Sequence, residues 1–251
     1  MALLVGTSGW QYRDWRGAFY PRDLPQREWL AHYAAAFPTV ELNNSFYRLP
    51  ERKNFERWAA STPSDFRFAV KASRYLTHIK RLQDPQEPVQ RMLDHARGLG
   101  RKLDVVLLQL PPTLQCDMQR LEATLASFPG GADRVRVALE VRHPSWCVDP
   151  VYDLLRRTGT ALCLTDRRNR VSPLVRTADW CYVRLHEGTA SPGPSYGRAA
   201  LRHWAGRIHD LYGSDPDGYV YFNNDPTGAA IRNARTFTRL TAKTAAAAQP
   251  G

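Results

Sequence analysis

Val135-Arg136-Val137-Ala138-Leu139-Glu140-Val141-Arg142 is a nearly continuous apolar run that stops at a carboxylate, with a guanidinium two positions later. A strand that buries both faces reads this way, because neither side of the sheet meets water. Seven further runs end alike: Leu3–Gly6 into Thr7-Ser8, Thr39–Leu42 into Asn43-Asn44, Phe66–Val70 into Lys71, Leu103–Leu108 into Gln109, Thr160–Leu164 into Thr165-Asp166, Trp180–Val183 into Arg184 and His186, and Tyr219–Phe222 into Asn223-Asn224-Asp225. Eight such strands separated by helical stretches predict a closed parallel (β/α)8 TIM barrel, a single domain whose chemistry sits at the carboxyl ends of its strands.

The stretches between the runs read as helices: Pro25–Ala36, Glu51–Ala60, Gln86–Leu99, Asp117–Ser127, Asp149–Arg157, Arg198–Tyr212 and Pro226–Leu240. Pro150 sits at a first helical position, where its missing N–H costs nothing. Arg167–Asp179, after the sixth run, is too short and irregular for a helix and predicts an extra strand or turn. The chain of 251 residues suits one barrel of roughly 250 residues. An open doubly wound sheet is the main competitor, but no G-x-G-x-x-G fingerprint is present. The domain is expected over residues 1–240, with the Ala-rich 241–251 as a disordered tail.

No apolar run reaches the ~18 residues of a membrane span. Met1–Val5 reaches Gly6 too soon for a secretory signal and lacks a basic leader. The four cysteines form no Cys-x-x-Cys pair, as expected of reduced thiols in a cytoplasmic protein. The formal charge of +11 admits a polyanionic partner such as nucleic acid. Against that, only five of the 35 basic residues are lysine, as a GC-rich genome would encode, and Arg167-Arg168-Asn169-Arg170 is the one dense cluster.

Residues two apart on a strand share a face. Glu41 with Asn43, Glu140 with Arg142, Arg184 with His186, and Asn223 with Asp225 therefore pair by parity. If these parities face the barrel mouth, Lys71 joins Glu41, Glu140, Arg142, Arg184 and His186 there. Buried charges must pair with one another or with a ligand. A purely structural salt-bridge plug is one outcome. The other is a site in which Glu140 or Glu41 is the general base, His186 the acid and Lys71, Arg142 and Arg184 the hold on an anion. Glu41, Glu140, Asp166 and Asp225 with His143 or His186 could instead hold a divalent metal, although no H-x-H or H-E-x-x-H spacing supports one. Trp10, Tyr12, Phe46, Tyr47 and Trp146 fall in post-strand loops, where aromatics either pack lids or stack ligand rings. Gln109 ends the fourth run before two prolines that set a rigid turn.

In these same residues the chain resembles the domain-of-unknown-function 72 family, also called YecE-like. The resemblance runs from Gly6 to about Ala234. It rests on Gly6-Thr7-Ser8-Gly9-Trp10, Val40-Glu41-Leu42-Asn43, Phe68 through Lys71 with Thr77-His78, Gln109-Leu110-Pro111-Pro112, Glu140-Val141-Arg142-His143-Pro144-Ser145-Trp146, Tyr182-Val183-Arg184-Leu185-His186, and Tyr221-Phe222-Asn223-Asn224-Asp225. It implies a TIM barrel and no particular activity, and it adds His78 to the candidate site. Where many relatives have Gly directly after the Arg-x-His, Glu187 intervenes here before Gly188.

The reading is thus an acid–base enzyme of hydrolase or lyase type on a small anionic, phosphorylated or nucleotide-like substrate. A non-catalytic nucleic-acid-binding protein and a divalent-metal-dependent isomerase or nuclease stand as alternatives. No cofactor is implied beyond that possible metal, and no membrane partner is expected. The expected catalytic residues are Glu140, Glu41, His186 and Lys71. The expected binding residues are Arg142, Arg184, Asn43, His78, Trp10, Tyr12, Gln109, His143, Trp146, Asn223 and Asp225. On sequence alone, Glu140→Gln and Arg184→Ala should remove activity and leave the melting temperature nearly unchanged.

Overall fold

The apolar runs become strands in the order expected. The computed structural model describes residues 3–130, 135–167, 170–188, 194–225 and 228–247. Its strands are β1 Leu3–Ser8, β2 Thr39–Leu42, β3 Arg67–Lys71, β4 Leu103–Gln109, β5 Arg136–Glu140, β6 Ala161–Leu162, β7 Leu164–Arg167, β8 Arg170–Val171, β9 Cys181–Leu185 and β10 Gly218–Phe222. The sheet order is β6-β5-β4-β3-β2-β1-β10-β9-β7-β8. All neighbours are parallel except β7 and β8. The sixth run is split at Cys163: β6 pairs with β5 and β7 with β9. The Cys163 N–H donates to Leu139 O at 2.9 Å, so the ring closes through that residue. β8 is the extra strand expected after the sixth run.

The main helices are α1 Trp29–Ala34, α2 Asn44–Tyr47, α3 Arg52–Ala60, α4 Gln86–Ala96, α5 Met118–Ala126, α6 Asp149–Thr158, α7 Arg198–Tyr212 and α8 Ala229–Ala247. Local signals fix their ends. Asp117 caps α5 by accepting from Arg120 N at 3.0 Å. Gly159 ends α6 in the left-handed conformation, φ 62°. Lys102 Nζ closes the C-terminal end of α3 by donating to Ala59 O at 2.6 Å and Thr62 O at 2.7 Å. The last helix runs to Ala247, so 241–247 are helical and not the disordered tail expected; 248–251 lie outside the described residues. A long run of alanines has the highest helix propensity available, and α8 packs on β1, β10 and α7.

Two apolar shells fill the space between strands and helices, one around Trp15, Tyr33, Phe68 and Phe222, the other around Leu108, Leu139, Trp146 and Leu155. A third cluster fills the barrel itself: Ala69, Leu107, Ala138, Cys163, Tyr182, Tyr219 and Tyr221. At the amino-terminal end Tyr219 Oη donates to Asp104, and Arg136 Nη2 meets Asp217 Oδ2 at 2.8 Å. Bulky tyrosines and paired charges thus plug the barrel from below, which leaves its carboxyl end as the open face.

Candidate functional site

Three charged strand ends meet on the barrel axis. Arg184, only 1% exposed, leaves β9 and reaches both carboxylates. Its Nε and Nη2 donate to Glu41 Oε1 at 3.2 and 2.8 Å, and its Nη1 donates to Glu140 Oε2 and, at 3.3 Å, to Gln109 Oε1. Glu41 on β2 also accepts from Ser8 Oγ at 2.6 Å and Tyr182 Oη at 2.5 Å. Glu140 Oε1 accepts from Arg142 Nε at 2.8 Å. Every carboxylate oxygen of the pair therefore has a donor. Burial alone would raise the Glu140 carboxyl, but Arg184, Arg142 and His186 hold it well below the usual carboxylate range. Glu41 comes from β2, Gln109 from β4, Glu140 from β5 and Arg184 from β9, so the cluster draws on both sides of the barrel.

Above this floor opens a cavity of about 700 Å³, lined by Tyr12, Asn43, Phe46, Tyr47, Lys71, Arg74, His78, Gln109, Arg142, Arg184, His186, Glu187 and Asn223. The volume lies in the range of ordinary small-molecule sites. Lys71 Nζ sits 4.0 Å over the Phe46 ring and, among the described residues, makes no hydrogen bond or ion pair. Burial and the nearby Arg184 and Arg142 push its ammonium down to about 8, although Glu41 and Glu140 pull the other way. Burial, then Lys71, Arg142 and Arg74, push the His78 ring down to about 4. His186 Nδ1 accepts from Asn223 Nδ2 at 3.0 Å, which leaves the proton of its neutral ring on Nε2. Burial raises Tyr12 to about 12, helped by Asp225 and Glu41. The Asn43 carboxamide oxygen is buried and has no hydrogen-bond partner among the described residues.

Of the fifteen residues expected at the site, nine line this cavity: Tyr12, Asn43, Lys71, His78, Gln109, Arg142, Arg184, His186 and Asn223. Glu41 and Glu140 lie behind Arg184 and bond to it as its counter-ions, and neither lines the cavity. The other four serve the scaffold. Trp10 packs edge-on against Trp58, ring centroids 5.5 Å apart. Trp146 donates to Leu114 O at 2.7 Å. His143 Nδ1 caps the following turn by accepting from Ser145 N at 3.2 Å. Asp225 lies past the end of β10, where parity no longer holds, and accepts from Trp15 Nε1 at 2.5 Å and Gly228 N at 3.1 Å. The metal set read from the sequence is likewise taken apart, since among the described residues no three His, Cys, Asp or Glu side chains gather around one point.

Asp166 and Tyr196 anchor the loop after His186. Asp166 Oδ1 accepts from His186 N at 2.9 Å and its Oδ2 from Tyr196 Oη at 2.5 Å, while Tyr196 Oη accepts from Glu187 N at 3.0 Å. Gly188 lies at φ 67°, and a Cβ there would sit 2.1 Å from Ser195 O. Gly188→Ala is therefore expected to lower stability by about 1–3 kcal/mol, read as a lower urea midpoint, because backbone rather than a flexible tip must yield. An unchanged midpoint would show that this loop does not hold the site. Four lining residues are not among those fifteen: Phe46 and Tyr47, which the sequence offered only as loop aromatics, and Arg74 and Glu187. Arg74 follows β3 inside an irregular segment, and Glu187 registered only as a departure in spacing.

Comparison with known proteins agrees with this architecture. The family model described as "Protein of unknown function DUF72" matches residues 4–251. The UPF0759 protein YunF of Bacillus subtilis (strain 168) is 27% identical over 269 residues, covering 95% of this chain and 94% of its own. The crystal structure of a DUF72 family protein from Thermotoga maritima MSB8 superposes with a TM-score of 0.81 at 28% identity, covering 96% of this chain and 99% of that one. A DUF72 family protein from Enterococcus faecalis V583 superposes with a TM-score of 0.78 at 18% identity, covering 96% and 95%, and supports the fold alone.

Proposed function

The chain belongs to the DUF72 family, and from that premise and the geometry of the barrel mouth we propose an enzyme of acid–base chemistry, hydrolase or lyase in type, acting on a small anionic, phosphorylated compound. One observation carries the reading: Lys71 is a buried cation that, among the described residues, has no carboxylate partner; the carboxylates beneath it, Glu41 and Glu140, are engaged by Arg184 and Arg142, and Glu187 is the carboxylate that lines the cavity itself. A buried charge is costly to leave unpaired, and an anion in the cavity would pair it. Burial first, and then the charges of Lys71, Arg142 and Arg74, lower the His78 ring beside them. Lys71 and Arg142 would hold the anion, Arg142 with the donors its bond to Glu140 leaves over. Asn43 and Asn223 would orient neighbouring hydroxyls. Acid–base work falls to the His186 imidazole, while Tyr12, pushed up to about 12, stays protonated and spends its one proton on Ser8 O at 2.5 Å.

The cations that support this reading sit inside a cavity, which suits a small ligand better than a nucleic-acid strand. The four cysteines are free, as a cytoplasmic setting would leave them, and no helix among the described residues is long and apolar enough to cross a membrane.

Inorganic phosphate and phosphorylated sugars are expected to raise the melting temperature, and their uncharged parents are not. Lys71 is cationic below about 8 and neutral above it, so affinity should be full below that pH and fall as pH rises through it. Equal shifts from phosphates and neutral parents would sink the proposal. Tight, salt-sensitive retention of oligonucleotides without any small-phosphate effect would favour the nucleic-acid alternative instead.

A further inference from the structure

We infer that the ligand of this site carries a flat aromatic or heteroaromatic ring joined to its anionic group, and that Tyr47 is the platform on which the ring lies. The inference rests on the anion reading above and narrows it, from phosphorylated compounds in general to those of the nucleoside monophosphate kind.

Tyr47 is the most exposed of the large apolar side chains among the described residues, at 75%, yet it lines the cavity. Its backbone is not loose. α2 is pinned from below by Ser45, fully buried, whose Oγ lies within hydrogen-bond distance of Leu42 O at 3.1 Å and Lys71 O at 2.7 Å, tying the ends of β2 and β3 together. Phe46 beside it is buried, meets Tyr47 edge-on at 5.1 Å, and carries Lys71 Nζ 4.0 Å over its own ring. The bare phenol ring is therefore no more than about 9 Å from the unpaired ammonium. Arg74 lines the same cavity, and Tyr75, next in the chain, is 45% exposed. An aromatic ring on a pinned backbone, bare to solvent and next to a cationic pocket is a ready stacking surface. Most other aromatics of the post-strand loops are spent on packing: Trp10, Trp15, Tyr20 and Trp146 are all buried.

The test is calorimetric titration of the full chain with three probes: adenosine monophosphate, ribose 5-phosphate and inorganic phosphate. Stacking of one base predicts that adenosine monophosphate binds at least about fivefold more tightly than ribose 5-phosphate. Tyr47→Ala should remove that advantage and leave inorganic phosphate unchanged, whereas Tyr47→Phe should keep it. With its ring 75% exposed, the substitution should not disturb folding, which an unchanged melting temperature verifies. If adenosine monophosphate and ribose 5-phosphate bind alike and Tyr47→Ala changes neither, the ring platform is wrong while the anion site stands. If none of the three binds the unmodified chain, the anion reading itself fails and the platform with it.

Discussion

Arg184→Ala is expected to cost the fold about 3–5 kcal/mol, a large part of a domain's total stability, and to lower the melting temperature by roughly 10 °C. The sequence alone suggested the reverse, that this variant would lose activity and keep its stability. The difference lies in burial. Arg184 is 1% exposed, and the two carboxylates it bridges are equally hidden. Removing it leaves Glu41 with two hydroxyl donors and no counter-ion, while Glu140 keeps only Arg142. The loss comes from stranded negative charge rather than from missing contact area. Glu41→Gln added to Arg184→Ala should therefore recover part of the stability, since the amide oxygen still accepts from one of the Ser8 and Tyr182 hydroxyls and its NH2 donates to the other once that hydroxyl rotates, with no charge to neutralise. The measurement is a pair of thermal or urea unfolding curves for the single and double variants. A single variant as stable as the parent would mean the network does not hold the barrel mouth, and a double variant no better than the single would mean that charge is not the cause.

The fold was legible because buried parallel strands leave a strong mark: runs such as Leu103–Gln109 and Arg136–Glu140 have no polar face to confuse their reading. The site was legible where a residue sits on a strand or immediately past it. Parity correctly united Glu140 with Arg142, now bonded at 2.8 Å, and brought Arg184 and His186 to one cavity. It failed for Asp225, three residues beyond the end of β10, where the chain has turned toward Trp15. Trp10, His143 and Trp146 failed for a related reason. Loop residues carry no period, and a large side chain near a site can as easily roof the core as face a ligand. The break at Cys163 had no warning either, because a strand that changes partner midway keeps the same apolar composition.

Lys71→Met should behave oppositely to Arg184→Ala, gaining stability while losing the ligand. In the folded chain the ammonium is pushed down to about 8, from an ordinary value of 10.5. A cation whose pKa is depressed by folding opposes the fold at every pH where it stays charged. That penalty is full below about 8, shrinks as the folded chain releases its proton, and is gone near 10.5, where the unfolded chain does the same. The shift corresponds to roughly 3 kcal/mol at neutral pH. Loss of the ammonium's contact with the Phe46 ring takes back about 1 kcal/mol, and a methionine packs against the same ring without a charge. The variant should therefore melt a few degrees above the parent at pH 7 and level with it near pH 10.5. Phosphate should raise the melting temperature of the parent, because it pairs the stranded ammonium, and leave the variant where it was. A group retained at a cost to the fold, and relieved by an anion, is what a binding site requires and a structural plug does not. If Lys71→Met proves less stable than the parent at pH 7, Lys71 is a structural cation and the anion-site reading loses its main support.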